Sequence, residues 1–271
     1  MTYRDLFSQA CKEGIAPHEA QMMLEHLLCL SHTSLILHFD DLCREELLAP
    51  FEQMVSRRKS GYPLQYLLGE WEFFGLPFFV GEGVLIPRQD TEILVETALE
   101  LCDGMGSVCD LCSGSGCIPI ALAENLPSSV NFTATELSDD ALFYLYKNKE
   151  RHHCDNLTVV QADVTRWTPP QPFDVITANP PYITAQEMTQ LQPEVLCEPR
   201  MALQAEENGL YFYRVIAQRY YPFLKENGWL IFEIGYRQGE AVCSLLRQNH
   251  FRNIRLINDY SGNDRVVIGQ K

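Results

Sequence analysis

The chain has 271 residues, 46% of them hydrophobic, which is enough for one large core and a smaller one. Its formal net charge of −15 repels phosphate backbones at long range and argues against a general nucleic-acid binder. No stretch of about eighteen apolar residues occurs, and the opening MTYRDLFSQACKEG has neither a basic nor an apolar run, so the expectation is a soluble, unexported, cytoplasmic protein with no membrane partner.

Residues 1 to 65 carry apolar side chains at helical spacing (Leu6, Phe7, Ala10; Met22, Met23, Leu27, Leu28; Leu47, Leu48, Phe51, Met54, Val55), broken by Gly14–Pro17 and by Ser31-His32-Thr33. They predict a small all-helical domain. Within it Arg57-Arg58-Lys59 is the one basic run, and it reads as a solvated face. From 66 to 86 the sequence changes to aromatic and β-branched residues punctuated by Gly69, Gly75, Gly81 and Gly83, a β-hairpin linker.

The third segment, 87–271, alternates apolar strands with amphipathic helices. Strands are predicted at 107–111, 131–135, 157–161, 173–178, 228–234, 253–258 and 265–269, and helices near 90–102, 117–125, 138–152, 208–224 and 237–249. The fold class is therefore α/β, a seven-stranded wound sheet. Only its last two strands, joined by the short DYSGND, are close enough in sequence to pair antiparallel. That C-terminal hairpin departs from the ordinary dinucleotide-binding sheet.

The stretch VCDLCSGSGCIPIALA (108–123) runs strand, glycine turn, helix, so that Gly114 and Gly116 bring backbone N–H groups to a ligand at a helix N-terminus. The third glycine of a dinucleotide fingerprint is missing, since Cys117-Ile118-Pro119 follows. The next strand ends on Glu136, placed to accept the ribose hydroxyls of an adenosine, and the one after it leads to Asp163, placed to accept an adenine amino group. The fourth ends in Asn179-Pro180-Pro181-Tyr182, a stiff corner, because proline lacks an N–H and holds the residue before it extended. The Asn179 side-chain oxygen and the Pro180 carbonyl can each accept one hydrogen of an NH₂ group, with Tyr182 against a planar substrate. Ten scattered cysteines read as buried thiols rather than a disulfide framework, and Cys109-x-x-Cys112 has no partner pair, so no metal is expected.

The Asn-Pro-Pro-Tyr corner resembles the class I S-adenosylmethionine-dependent methyltransferases that act on planar nitrogens, with their Rossmann-like sheet. Four segments narrow the likeness: RRKSGYPLQYLLGEWEFFGLPFFV (57–80), VLIPRQDTEILVE (84–96), ANPPYI (178–183) and EVLCEPRMALQAEENGL (194–210). They are similar to PrmC/HemK, the glutamine N5-methyltransferases of peptide chain release factors. The resemblance implies S-adenosylmethionine as cofactor, held by Asp110, Cys112, Ser113, Gly114, Ser115, Gly116, Glu136, Asp163, Val164 and Asn179. It also implies a release-factor glutamine bound by Asn179, Pro180, Pro181 and Tyr182, of which Asn179, Pro180 and Tyr182 would be catalytic. The helical domain would dock the protein substrate. Two positions depart from the family pattern: Cys112 stands where glycine is usual, which leaves no expectation of positive φ there, and Gln89-Asp90 replaces Pro-Glu. Arg88 and Glu92 are expected as wall residues. An exocyclic adenine NH₂ would fit the same clamp, so an N6-adenine methyltransferase is the alternative, although it would require base extrusion and a basic channel.

Overall fold

A computed structural model describes residues 1–102 and 104–271. The chain divides into two compact units, one formed by 1–70 with 192–197, the other by 71–191 with 198–271. The first is helical. Its first helix, Tyr3–Lys12, is opened by a Thr2/Asp5 capping box, and the helices Pro17–Leu28, His32–His38, Leu48–Lys59 and Leu64–Leu68 follow. Leu6, Ala10, Met23, Leu24, Leu35 and Phe51 form its buried centre. Arg58 ties this unit together: it donates to Glu19 (2.7 Å), pairs with Glu194 (2.8 Å) and reaches the Tyr62 carbonyl (3.3 Å). Its neighbours in the basic run are also engaged, Arg57 over the Tyr62 ring and Lys59 with Glu13.

The hairpin begins later than the texture of the sequence suggests. Residues 66–68 belong to a helix that Gly69 ends in the left-handed region (φ 72°), and the strands are β1 (Glu70–Phe73) and β2 (Leu76–Phe79). Phe74 and Gly75 between them both have positive φ, the twist that a two-residue hairpin turn requires. The Glu92 carboxylate accepts the Phe74 N–H (2.9 Å), which supports an aromatic residue at a strained position. Phe73 and Phe78 are fully buried in the main core, so the hairpin is a packed part of the second unit rather than a free linker.

That unit is a sheet of seven strands: β3 (Ser107–Leu111), β4 (Asn131–Glu136), β5 (Leu157–Gln161), β6 (Phe173–Ala178), β7 (Leu224–Glu233), β8 (Arg252–Asn258) and β9 (Asp264–Gln270). The order is β5-β4-β3-β6-β7-β9-β8, parallel through β7 and antiparallel on both sides of β9. Pairing of β7 starts four residues before the predicted strand: Leu224 meets Phe173, a register shift follows, and Trp229 meets Val175. Side chains alternate between two cores. Val108, Val175, Ile231, Val266 and Ile268 face the helices Glu92–Leu101 and Cys117–Asn125, while Cys109, Ile176, Leu230, Phe232 and Val267 face Tyr211–Tyr220 and Gly239–Gln248. All ten cysteines are free thiols.

One buried polar side chain joins hairpin and sheet. Asn148, in the helix Asp139–Arg151 and inaccessible to solvent, accepts the Phe79 N–H (2.7 Å) and donates to the Phe79 carbonyl (3.1 Å) and to the Ser115 carbonyl (2.9 Å). Asn148→Leu strands three backbone groups. Each buried group left without a partner costs roughly 1–3 kcal/mol, so the variant should lose at least about 3 kcal/mol of stability. Urea unfolding reads this as a lower midpoint at unchanged slope; an unchanged midpoint would mean that these groups find other partners.

Candidate active site

The strand order places β4 and β6 on either side of β3, so the connections after β3 and β6 diverge. Ligands of wound sheets settle in the crevice outside the carboxyl ends at such a point. A cavity of about 330 Å³ lies there. Cys112, Ser113, Gly114 and Ser115 form one part of its wall, and Glu136, Asp163 and Val164 another. Asn179 and Pro181 face it from the end of β6.

The glycine loop is wound tightly. Cys112 (φ 61°), Gly114 (φ 55°) and Gly116 (φ 82°) all lie in the left-handed region, so the position where a cysteine stands does take the backbone shape that glycine favours. The Ser113 N–H donates to the Thr135 carbonyl (2.9 Å), which pins the loop to β4. Glu136 then holds it from the side: Oε2 accepts the Gly114 N–H (2.8 Å), and Oε1 accepts those of Leu137 (2.8 Å) and Ser138 (2.9 Å). Of about four lone-pair directions on a carboxylate, three are used, which leaves one on Oε2 for a ligand hydroxyl. Asp163 accepts both the N–H (2.8 Å) and the hydroxyl (2.7 Å) of Thr165, and that hydroxyl above all holds its carboxyl below the usual aspartate range.

Asp110 is placed differently from the sequence expectation. It lies in the sheet behind the loop, without solvent exposure and off the cavity wall. Its Oδ1 accepts the Thr177 hydroxyl (2.6 Å), Oδ2 has no partner, and burial pushes the carboxyl up to about 7. Gly116, at the N-cap of the helix Cys117–Asn125, also stands behind the wall.

At the corner after β6, Asn179 directs its Nδ2 at the Thr91 hydroxyl (3.4 Å). Pro180 is buried and off the wall. The Tyr182 ring packs over Gly235 and the core beneath the helix Tyr211–Tyr220 and does not line this cavity. Its main chain is pinned: the Tyr182 N–H donates to the Leu203 carbonyl (3.2 Å), and its carbonyl accepts from Gln238 Nε2 (3.2 Å). Gly209 (φ 81°) passes so close that a Cβ would overlap the Tyr182 carbonyl oxygen, which only glycine avoids.

Of the two expected wall residues, Arg88 lines the cavity and pairs with Glu198, whose carboxylate is buried and also accepts the Ile86 N–H (3.1 Å). Glu92 does not: its carboxylate is spent on the hairpin turn. Asp90 pairs with Arg265 (3.0 Å). Thr91 and Gln238, which hold the corner, carry no sequence signal, because a lone polar residue at an element's end is ordinary there.

The comparisons agree with this architecture. The model described as PrmC N-terminal domain matches residues 3–69, and that described as methyltransferase small domain matches 88–226. A release factor glutamine methyltransferase of Geobacter sulfurreducens is 39% identical over 253 residues, 93% of this chain and 88% of that one. One of Fusobacterium nucleatum is 42% identical over 81% of this chain, which spans 63% of that relative's length. The crystal structure of a methyltransferase from Pyrococcus furiosus, 16% identical, superposes with a TM-score of 0.54 over 84% of this chain and 99% of its own, a likeness of fold. On this similarity along nearly its whole length, the chain belongs to the release factor glutamine methyltransferase family.

Proposed function

We propose that the chain transfers a methyl group from S-adenosylmethionine to the side-chain amide nitrogen, N5, of the glutamine in the Gly-Gly-Gln loop of a peptide chain release factor, and so modulates translation termination. One observation carries this: the glycine loop, two carboxylates and the Asn179 corner share one cavity. The wall suits the cofactor. Glu136 and Asp163 offer acceptors and negative charge to a cationic nucleoside, while Ile118, Leu137 and Val164 supply apolar surface for its base. When bound, S-adenosylmethionine supplies an electrophilic methyl group on a sulfonium and leaves as S-adenosylhomocysteine.

The chain's own residues have to orient a poor nucleophile, because an amide nitrogen's lone pair is delocalised. Asn179 Oδ1 and the Pro180 carbonyl accept one amide hydrogen each, which fixes the NH₂ plane and polarises the nitrogen. No general base is needed first: the N-methylated, N-protonated amide is strongly acidic and loses its proton to water. Pro181 closes the wall beside the amide, and Tyr182 backs the corner. The helical unit serves as the docking surface for the release factor, since recognition remote from the reacting atom can orient it. A cytoplasmic setting goes with such a partner, and among the described residues no helix is long and apolar enough to cross a membrane. Against the adenine alternative stand the net charge of −15 and the internal contacts made by all three residues of the basic run.

Labelled cofactor with purified release factor, followed by mass mapping, tests this reading. Label on the Gly-Gly-Gln glutamine, absent when that residue is changed to Glu, is the expected result; preferential labelling of DNA under the same salt would replace it with the adenine reading.

Glu136→Ala should weaken S-adenosylmethionine binding roughly ten- to a hundred-fold, as hydrogen bonds to a charged group are worth about 1.5–3 kcal/mol. Calorimetry on the folded variant is the check, and unchanged affinity would remove Glu136 from the site. For Asn179→Ala the loss belongs in kcat, roughly 10- to 100-fold, with cofactor affinity near that of the unaltered chain, because one of two orienting acceptors is gone while docking is retained. A change confined to KM in steady-state assays would count against the clamp.

A further inference from the structure

We propose that Gln238 is a positioning residue for methyl transfer: through one side-chain amide it holds the Asn179–Tyr182 corner and the turn at Gly209 in the relation that the substrate amide needs. The inference rests on the clamp proposed above and goes beyond it, because Gln238 itself lies off the cavity wall. Two acceptors, Asn179 Oδ1 and the Pro180 carbonyl, have to be aimed together, yet the stretch that carries them is hard to tie. Proline has no N–H, so between Asn179 and Tyr182 the backbone offers no donor by which a neighbour could anchor it. The first anchors come at Tyr182 and Ile183.

There the N–H groups of both residues donate to the Leu203 carbonyl (3.2 and 2.8 Å), and the Ile183 carbonyl accepts the Ala205 N–H (2.9 Å). The Tyr182 carbonyl is left to a side chain. It accepts from Gln238 Nε2 (3.2 Å), which also reaches the Gly209 carbonyl (3.4 Å), while Gln238 Oε1 accepts the Gly235 N–H (3.0 Å). The partners decide the orientation of this amide, since two carbonyls demand its nitrogen and one N–H demands its oxygen. Two glycines decide its position. A Cβ at Gly209 would overlap the amide nitrogen, and one at Gly235 would come to 2.9 Å of the amide oxygen, so Gln238 fills a slot that a side chain at either position would close. Its backbone is fixed as well: Gln238 is the N-cap of the helix Gly239–Gln248, and its N–H donates to the Gly235 carbonyl (2.8 Å). The turn at Gly209 leads into the helix Tyr211–Tyr220, whose Phe212 lines the cavity, so one amide sets the corner against a second part of the wall. Glu136 holds the glycine loop through other groups, which keeps the cofactor side independent of this network.

Gln238→Met, similar in length but without an N–H, and Gln238→Glu, which keeps an acceptor for Gly235 but sets oxygen against both carbonyls, are the test. Each should lower kcat about tenfold or more while the release-factor KM and the cofactor Kd change by less than about twofold, because docking and the glycine loop are untouched. The loss in Gln238→Glu is the signature: if the bond to Gly235 were the part that matters, this variant would keep nearly full kcat. A second readout needs no turnover. Hydrogen exchange followed by mass spectrometry should speed up in peptides covering 180–184 in both variants and stay unchanged in those covering 112–117. An unaltered kcat in Gln238→Glu, unchanged exchange at 180–184, or a cofactor Kd that weakens in step with kcat would overturn the proposal, the last by showing that Gln238 serves the fold as a whole. Failure of the unaltered enzyme to label the glutamine, with exchange at 180–184 that does respond to the substitutions, would instead defeat the substrate assignment and leave the hold on the corner standing.

Discussion

The side-chain amide of Asn148 substitutes for a missing strand. It offers Phe79 both an acceptor and a donor, as a neighbouring backbone would, and spends its second N–H on the Ser115 carbonyl in the glycine loop. A two-stranded hairpin is marginal by itself, and its outer edge leaves backbone groups that need partners. By satisfying them from a helix, Asn148 makes the hairpin part of the core and gives the loop a fixed floor. The shape of the cavity depends on that floor.

From there the site is held by acceptors aimed at backbone rather than by packing alone. Glu136 accepts three N–H groups along the glycine loop and the start of the next helix, and Gln238 and the Leu203 carbonyl fix the chain after Pro181. Parallel strands end together on one edge, where turns are exposed and would otherwise wander. The turns after β3 and β4 are tied to each other through Glu136, and the corner after β6 to the turn after β7 through Gln238, so loops distant in sequence hold a common geometry.

Strand positions, the order of the carboxyl-edge motifs and the terminal antiparallel hairpin were legible, because period-two apolar runs and glycine or proline corners are local signals. What stayed hidden was where polar atoms point. Asp110 reads as a strand-end acid turned to the cofactor, but it is buried, bonded to Thr177 and off the cavity wall. Glu92 reads as a wall residue but braces the Phe74 turn. The helix at Leu64–Leu68 hid among aromatic residues that favour strands, and the early start of β7 hid behind Gly228, where the register shifts. In each case a contact from far along the chain decides the outcome, which no window of neighbouring residues can report.

The grouping of 192–197 with the helical unit makes that unit discontinuous in sequence: it borrows six residues from the middle of the other half, and Glu194 among them completes the Arg58 cluster. A fragment beginning at Trp71 would carry this borrowed loop without its scaffold. In chain order this segment falls between the corner at Asn179 and Met201, Ala202 and Gln204, which return to the cavity wall. Gene dissection at the apparent domain boundary is therefore not a neutral cut; a graft or circular permutation that respects this architecture would have to move the 192–197 excursion together with the helices.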